Sequence, residues 1–217
     1  MKIIIFLFAI LLPFCASAGS YEDMEEAMIH GDAAAAIALL QRGVDVNTVD
    51  RQGNTLLTQA VRRDVPELVE YLIQHRARLN VRNKNGETAL SIAAYTGKLS
   101  YVQQFVNAGA EINLYGWPPL TYAAFNGHGD IVDYLLKHGA LIDAVTENGS
   151  TALLFAARFG HIDVIKVLLS NHADPTITNE NGETALDWAV KTGNTEIADL
   201  LRAAEATRVT AATVEPS

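Results

Sequence analysis

Cysteine is nearly absent from this sequence: Cys15 is the sole one in 217 residues. No disulfide framework can form within the chain, and beyond position 15 there is no thiol to act as a nucleophile. Neither a Gly-x-Ser-x-Gly turn nor a glycine-rich phosphate loop occurs, so two common routes to hydrolysis and phosphoryl transfer have no residues to carry them. Basic charge is also scarce, with 16 Lys and Arg against 25 Asp and Glu. An acidic chain is repelled by nucleic-acid phosphates and by anionic membrane surfaces. Nucleic acid is therefore excluded as an expected partner, and no cofactor or metal is expected either.

What is present first is a leader-like start. Met1 and Lys2 precede an apolar run from Ile3 to Phe14, and Ala16-Ser17-Ala18 forms a small-residue cleavage site before Gly19. Residues 1–18 read as a secretory signal peptide. An uncleaved anchor is the alternative, although the run is shorter than the ~20 residues of a spanning helix. Cys15 raises a lipoprotein, but Leu12-Pro13-Phe14 lacks the small residues of such a site. Cleavage would remove Cys15 and Lys2, deepening the acidic excess. The exported chain is expected in the periplasm, with secretion as the alternative, and has no membrane segment in its mature form.

From residue 19 onward, 49% apolar and 19% charged residues across the chain describe a folded protein. Its order is periodic. Gly53 and Gly86, and again Gly149 and Gly182, are 33 residues apart. A constant period of this length means stacked modules. After each of these glycines come Thr55-Leu56-Leu57-Thr58, Thr88-Ala89-Leu90-Ser91, Thr151-Ala152-Leu153-Leu154 and Thr184-Ala185-Leu186-Asp187, each opening a helix. Ala93-Ala94, Ala156-Ala157 and Ala189 follow, small enough for neighbouring helices to approach closely. An inter-helix turn at Asp64, Gly97, Gly127, Gly160 and Gly193 leads into a second helix, closed by pairs such as Leu135-Leu136 and Leu168-Leu169. The repeated hydroxyls cap helix starts, which accounts for them better than catalysis does.

These features, in this order, resemble the ankyrin repeat, although Thr58, Ser91, Thr121, Leu154 and Asp187 replace its signature histidine. The resemblance implies an all-α solenoid of six helix-turn-helix modules joined by short β-hairpin fingers. The repeat domain spans 19–206, with modules at about 20–49, 50–82, 83–112, 113–145, 146–178 and 179–206. A tail at 207–217 is expected to be disordered, its apolar period lost. The fourth module is irregular. Asn113 to Gly116 is three residues where Asn80 to Gly86 and Asp143 to Gly149 are six, and Trp117-Pro118-Pro119 replaces the usual helix start.

Histidines occupy repeated positions. His128 and His161 share the inter-helix turn and, stacked about one module apart at ~10 Å, are too distant to ligate one ion. A structural turn role is expected of them. His75 and His138 share a helix end, where a cation suits the dipole. Arg76 and His172 stand where Gly109 and Gly139 take the left-handed conformation.

The resemblance also implies where a protein partner would bind: the hairpin tips and the exposed ends of the first helices. Carried over position by position, these are Arg62 and Arg63, Tyr95, Phe125 and Asn126, Arg158 and Phe159, and Lys191, with Trp117 and Tyr115 beside the shortened finger. Aromatic and arginine residues of this kind anchor interfaces. The expected protein is a monomeric, non-enzymatic interaction module, acting as scaffold, inhibitor or immunity partner. The resemblance extends to exported bacterial ankyrin proteins associated with peroxide defence, which makes stress protection the alternative.

Overall fold

The computed structural model describes residues 18–212. Among the described residues, twelve helices fall into six pairs: α1 (Ala18–His30) with α2 (Ala33–Gln41), α3 (Leu56–Arg63) with α4 (Pro66–Gln74), α5 (Ala89–Tyr95) with α6 (Leu99–Asn107), α7 (Pro119–Phe125) with α8 (Gly129–Lys137), α9 (Ala152–Phe159) with α10 (Ile162–Ser170), and α11 (Ala185–Lys191) with α12 (Thr195–Ala212). The first helices α3, α5, α7, α9 and α11 pack in one row, and α4, α6, α8, α10 and α12 back them. This is a solenoid of helix-turn-helix repeats.

The first helices start where a threonine can accept from an orphan N–H. Thr55, Thr88, Thr151 and Thr184 accept from the amides of Thr58, Ser91, Leu154 and Asp187. The helices then approach closely because small residues line the middle of their contact: Ala93, Ala94, Ala123, Ala124, Ala156, Ala157 and Ala189 are fully buried. The second layer is filled by larger side chains, with Leu72, Phe105, Leu135, Leu168 and Leu201 sealed from solvent. Burial of each such leucine contributes about 1.5–3 kcal/mol.

Polar bonds between modules set the register. Asn47, Asn80, Asn113 and Asp143 each accept, through Oδ1, a backbone N–H 28 to 31 residues further along, from Arg78, Glu111, Leu141 and Asp174 at 2.8–3.0 Å. The turn histidines do similar work. His128 Nε2 donates to the Tyr95 carbonyl at 3.1 Å and His161 Nε2 to that of Phe125 at 2.9 Å. Each ring lies over the turn glycine of the preceding module, and a Cβ at Gly97 or Gly127 would sit 2.6 Å from it. Glycine is required there by space as well as by its positive φ. At His75 and His138, Nδ1 donates to the carbonyl of Tyr71 and Tyr134, and each imidazole stacks on that tyrosine.

Asp64, Arg76 and His172 do adopt the left-handed conformation, with φ of 57°, 59° and 68°. Asp64 uses it: its carboxylate pairs with Lys98 and accepts from Tyr101 at 2.9 Å.

Two expectations are corrected. The fingers are turns and not β-hairpins. Among the described residues there is no strand, and Val49 with Thr55 forms an isolated bridge. Each finger closes through two backbone bonds at one residue, as where Asn83 N donates to Glu87 O and Gly86 N to Asn83 O, or Thr146 N to Ser150 O and Gly149 N to Thr146 O. The helix cap follows at once, leaving no length for a ladder. The tail expected to be disordered from 207 is helical through Ala212. It continues α12, whose earlier turns are anchored by the buried Ile197, Ala198 and Leu201, and Arg208 pairs with Asp174 at 2.9 Å. Residues 213–217, and the leader apart from Ala18, lie outside the described residues.

Candidate protein-binding face

The ends of the first helices bring the expected residues onto one face, but as an aromatic band more than a row of cations. Tyr95 and Phe159 are 43% and 44% exposed, while Phe125 and Trp117 are half-buried between them. Phe125 lies 4.5 Å from the Phe159 ring centroid and 6.3 Å from that of Tyr95. Trp117 lies over Phe155 at 4.8 Å, Tyr122 at 5.3 Å and Phe125 at 6.0 Å. Trp117 stands at the register position held by Glu87 and Glu183 in their modules, directly before the helix cap, which places its ring at the mouth of α7.

The charges expected on this line are largely engaged within the chain. Arg62 pairs with Glu87, and Lys191 with Glu183. Arg158 is exposed, and its guanidinium stacks over Trp188 at 4.3 Å and reaches Phe159 at 5.5 Å. Lys191 also lies 5.0 Å from the Trp188 ring. Arg63 stands apart at the N-terminal end, where it lines a small hollow with Tyr21, Glu25 and Asp50. The side chain of Asn126 donates to the Tyr95 carbonyl at 2.6 Å, so its amide nitrogen serves the scaffold.

Three members of the band escape a reading confined to helix ends: Tyr122, Phe155 and Trp188. With Gln59 and Ile92 they form a column three residues before the one containing Arg62, Tyr95, Phe125, Arg158 and Lys191. Residues three apart share a helix face, and that spacing was the signal that could have found them. Tyr122 is half-buried, and burial raises its hydroxyl pKa above the usual phenol value. The charges of Glu87, Arg62, Arg82 and Glu147 surround it.

Chemically this face offers ring surface and charge for binding. Hydroxyls at the helix starts are capping, the turn histidines are bonded to carbonyls, and among the described residues no three His, Cys, Asp or Glu side chains cluster as a metal site. Among the same residues, no helix is long and apolar enough to cross a membrane.

Comparison with known proteins places the chain in a family. The family described as "Ankyrin repeats (3 copies)" matches residues 24–115, 76–146, 102–179 and 141–211. The chain belongs to the ankyrin repeat family, whose repeats mediate protein–protein interaction. Among curated relatives it is 32% identical to the probable 26S proteasome regulatory subunit p28 of Saccharomyces cerevisiae over 113 residues, 50% of each protein. The chain spans half or less of the length of the first curated relatives it matches. Two solved structures match far more completely. One is a chain from the complex of a predatory endopeptidase of Bdellovibrio bacteriovorus with an immunity protein, at TM-score 0.75 and 29% identity, covering 83% of this chain and 97% of that one. The other is an ankyrin repeat domain from Acinetobacter baumannii, at TM-score 0.74 and 26% identity, covering 84% and 97%.

Proposed function

We propose that this chain is an exported, non-enzymatic protein-binding module that holds one partner protein against its aromatic band and acts as an inhibitor or immunity partner. The observation that carries this reading is the band itself. Tyr95 and Phe159 are more than two-fifths exposed yet are held in place by the packing of Trp117, Tyr122, Phe125 and Phe155. Rigid aromatic anchors of this kind lose little entropy on binding and supply much of the energy of an interface. The leader-like residues 1–18 support export to the periplasm. The similarity to a chain from an endopeptidase–immunity complex supports the inhibitory role.

The test is affinity capture from a periplasmic extract with the wild-type protein and with Y95A/F159A. Both side chains are exposed enough for truncation to leave the fold intact, which a melting curve verifies. The reading expects a protein retained by the wild type and lost from the variant. Identical captured sets contradict it. Export is checked separately by the mature N-terminus, expected near Gly19.

A further inference from the structure

The missing finger leaves two backbone groups without partners. Where successive fingers are present, they are bonded to one another: Lys84 N–H donates to the Gln52 carbonyl and Glu180 N–H to the Asn148 carbonyl, both at 3.0 Å. The rule is constant. The second residue of a turn donates to the third residue of the turn before it. A fourth finger would donate its N–H to the Asn85 carbonyl and accept from the Glu147 N–H. With that finger gone, the Asn85 carbonyl and the Glu147 N–H have no protein partner among the described residues. Because α5, α7 and α9 stay packed in succession, the two fingers remain two module steps apart, with a gap one finger wide between them.

The gap has a floor and charged walls. Tyr115 is 82% exposed at its base, next to Gly116 and the half-buried Trp117. Arg82 and Lys84 stand exposed on one wall, and Arg82 reaches across to bond the Tyr115 carbonyl. Glu147 stands exposed on the other, its carboxylate close to Gly116.

We propose that this gap is a seat for a turn of the bound protein, which takes the place of the missing fourth finger. The incoming turn donates one N–H to the Asn85 carbonyl and accepts from the Glu147 N–H, as its neighbours do for one another. Main-chain pairing of this sort gives affinity, and the flanking side chains give specificity. The walls call for an acidic side chain toward Arg82 and Lys84 and a basic one toward Glu147. Tyr115 and Trp117 call for an apolar side chain beneath. The inference rests on the protein-binding function proposed above and names the segment of the partner that enters.

The probe is a backbone-cyclised peptide built on the turn of residues 83–86, titrated into the full chain and followed by NMR at the Glu147 amide and the Trp117 indole. Two variants close the gap or remove its donor. In one, Leu114 and Tyr115 are exchanged for a copy of residues 81–85, which restores the finger. In the other, E147P deletes the N–H at the second position of a turn, where proline fits. The wild type is expected to shift at both reporters. The finger-restored chain is expected not to respond, and E147P to bind about tenfold more weakly, the equivalent of one hydrogen bond. No shift in the wild type, or equal affinity in a folded E147P, overturns the proposal. Y95A/F159A is expected to leave the titration unchanged. Loss of partner capture by Y95A/F159A together with a silent titration would therefore sink the gap and spare the aromatic face, and the reverse result would do the opposite.

Discussion

Modules four and five share a helical scaffold and differ at the finger. In both, the first helix is sealed by an alanine pair, Ala123-Ala124 and Ala156-Ala157, and by a leucine, Leu120 and Leu153, each 1% exposed. Module five adds a threonine cap and a finger bonded onward to Glu180. Module four has neither. Pro118 stands at the cap with no side chain to accept and no N–H to donate. The hydroxyl of Thr121 is left buried without a partner, although Ser91, at the same place in module three, donates to the carbonyl of Thr88 and accepts from its amide. Trp117 fills the position that Ser150 occupies in module five. The contrast teaches that cohesion lies in the helix layers, so that a finger can be lost and its place turned to recognition.

The largest effects test the shared part. L120A and L153A should each cost about 2–5 kcal/mol, and by similar amounts in chemical denaturation; a much milder L120A would mean that module four is packed differently. Next comes the part that differs. W117S, which copies module five, should cost about 2 kcal/mol by losing three ring contacts and should also weaken partner binding; an unchanged melting temperature would show that Trp117 is an ornament on the scaffold.

Smaller effects probe the connections. R76G should raise stability by about 0.5–1 kcal/mol by relieving a left-handed side chain. D64G should lower it by about 1 kcal/mol, because the hydroxyl of Tyr101 loses its acceptor; movement of both variants in the same direction in thermal melts would refute the distinction. E180P, which removes a bonded N–H, should cost about 1 kcal/mol, whereas E147P should cost nothing measurable. The smallest effect is on pH dependence. Hydrogen bonds from Lys98 and Tyr101 hold the Asp64 carboxyl below its ordinary value of 3.8. A depressed carboxylate stabilises the fold above that value and loses its contribution as pH falls below it. Acid unfolding of D64G should therefore lack that part of the wild-type slope.

Much of the architecture was legible because most copies carry the same local chemistry. Threonine before an apolar pair, alanine at the helix contact and glycine in the turn recur at one period, with Pro118 and Asp64 as departures. The binding face was legible in part. Tyr95 and Phe159 stand out as large apolar residues at exposed helix ends. Tyr122, Phe155 and Trp188 did not, because a ring one turn deeper in an apolar helix looks like core. Pairing of Arg62 with Glu87 joins residues 25 apart in sequence, and that of Lys191 with Glu183 spans a cap. Neither follows from the spacing of the cations alone. The helix beyond residue 207 was hidden for a different reason: residues 207–212 carry no apolar period, and periodicity was the guide.

Hydrogen exchange at three equivalent amides tests the account most directly. Lys84 and Glu180 donate to the preceding finger, while Glu147 faces the gap left in module four. In the free protein the amides of Lys84 and Glu180 should be protected and that of Glu147 should exchange as an open group, becoming protected only when a partner turn is seated. A Glu147 amide as slow as that of Glu180 before any partner is added would contradict it.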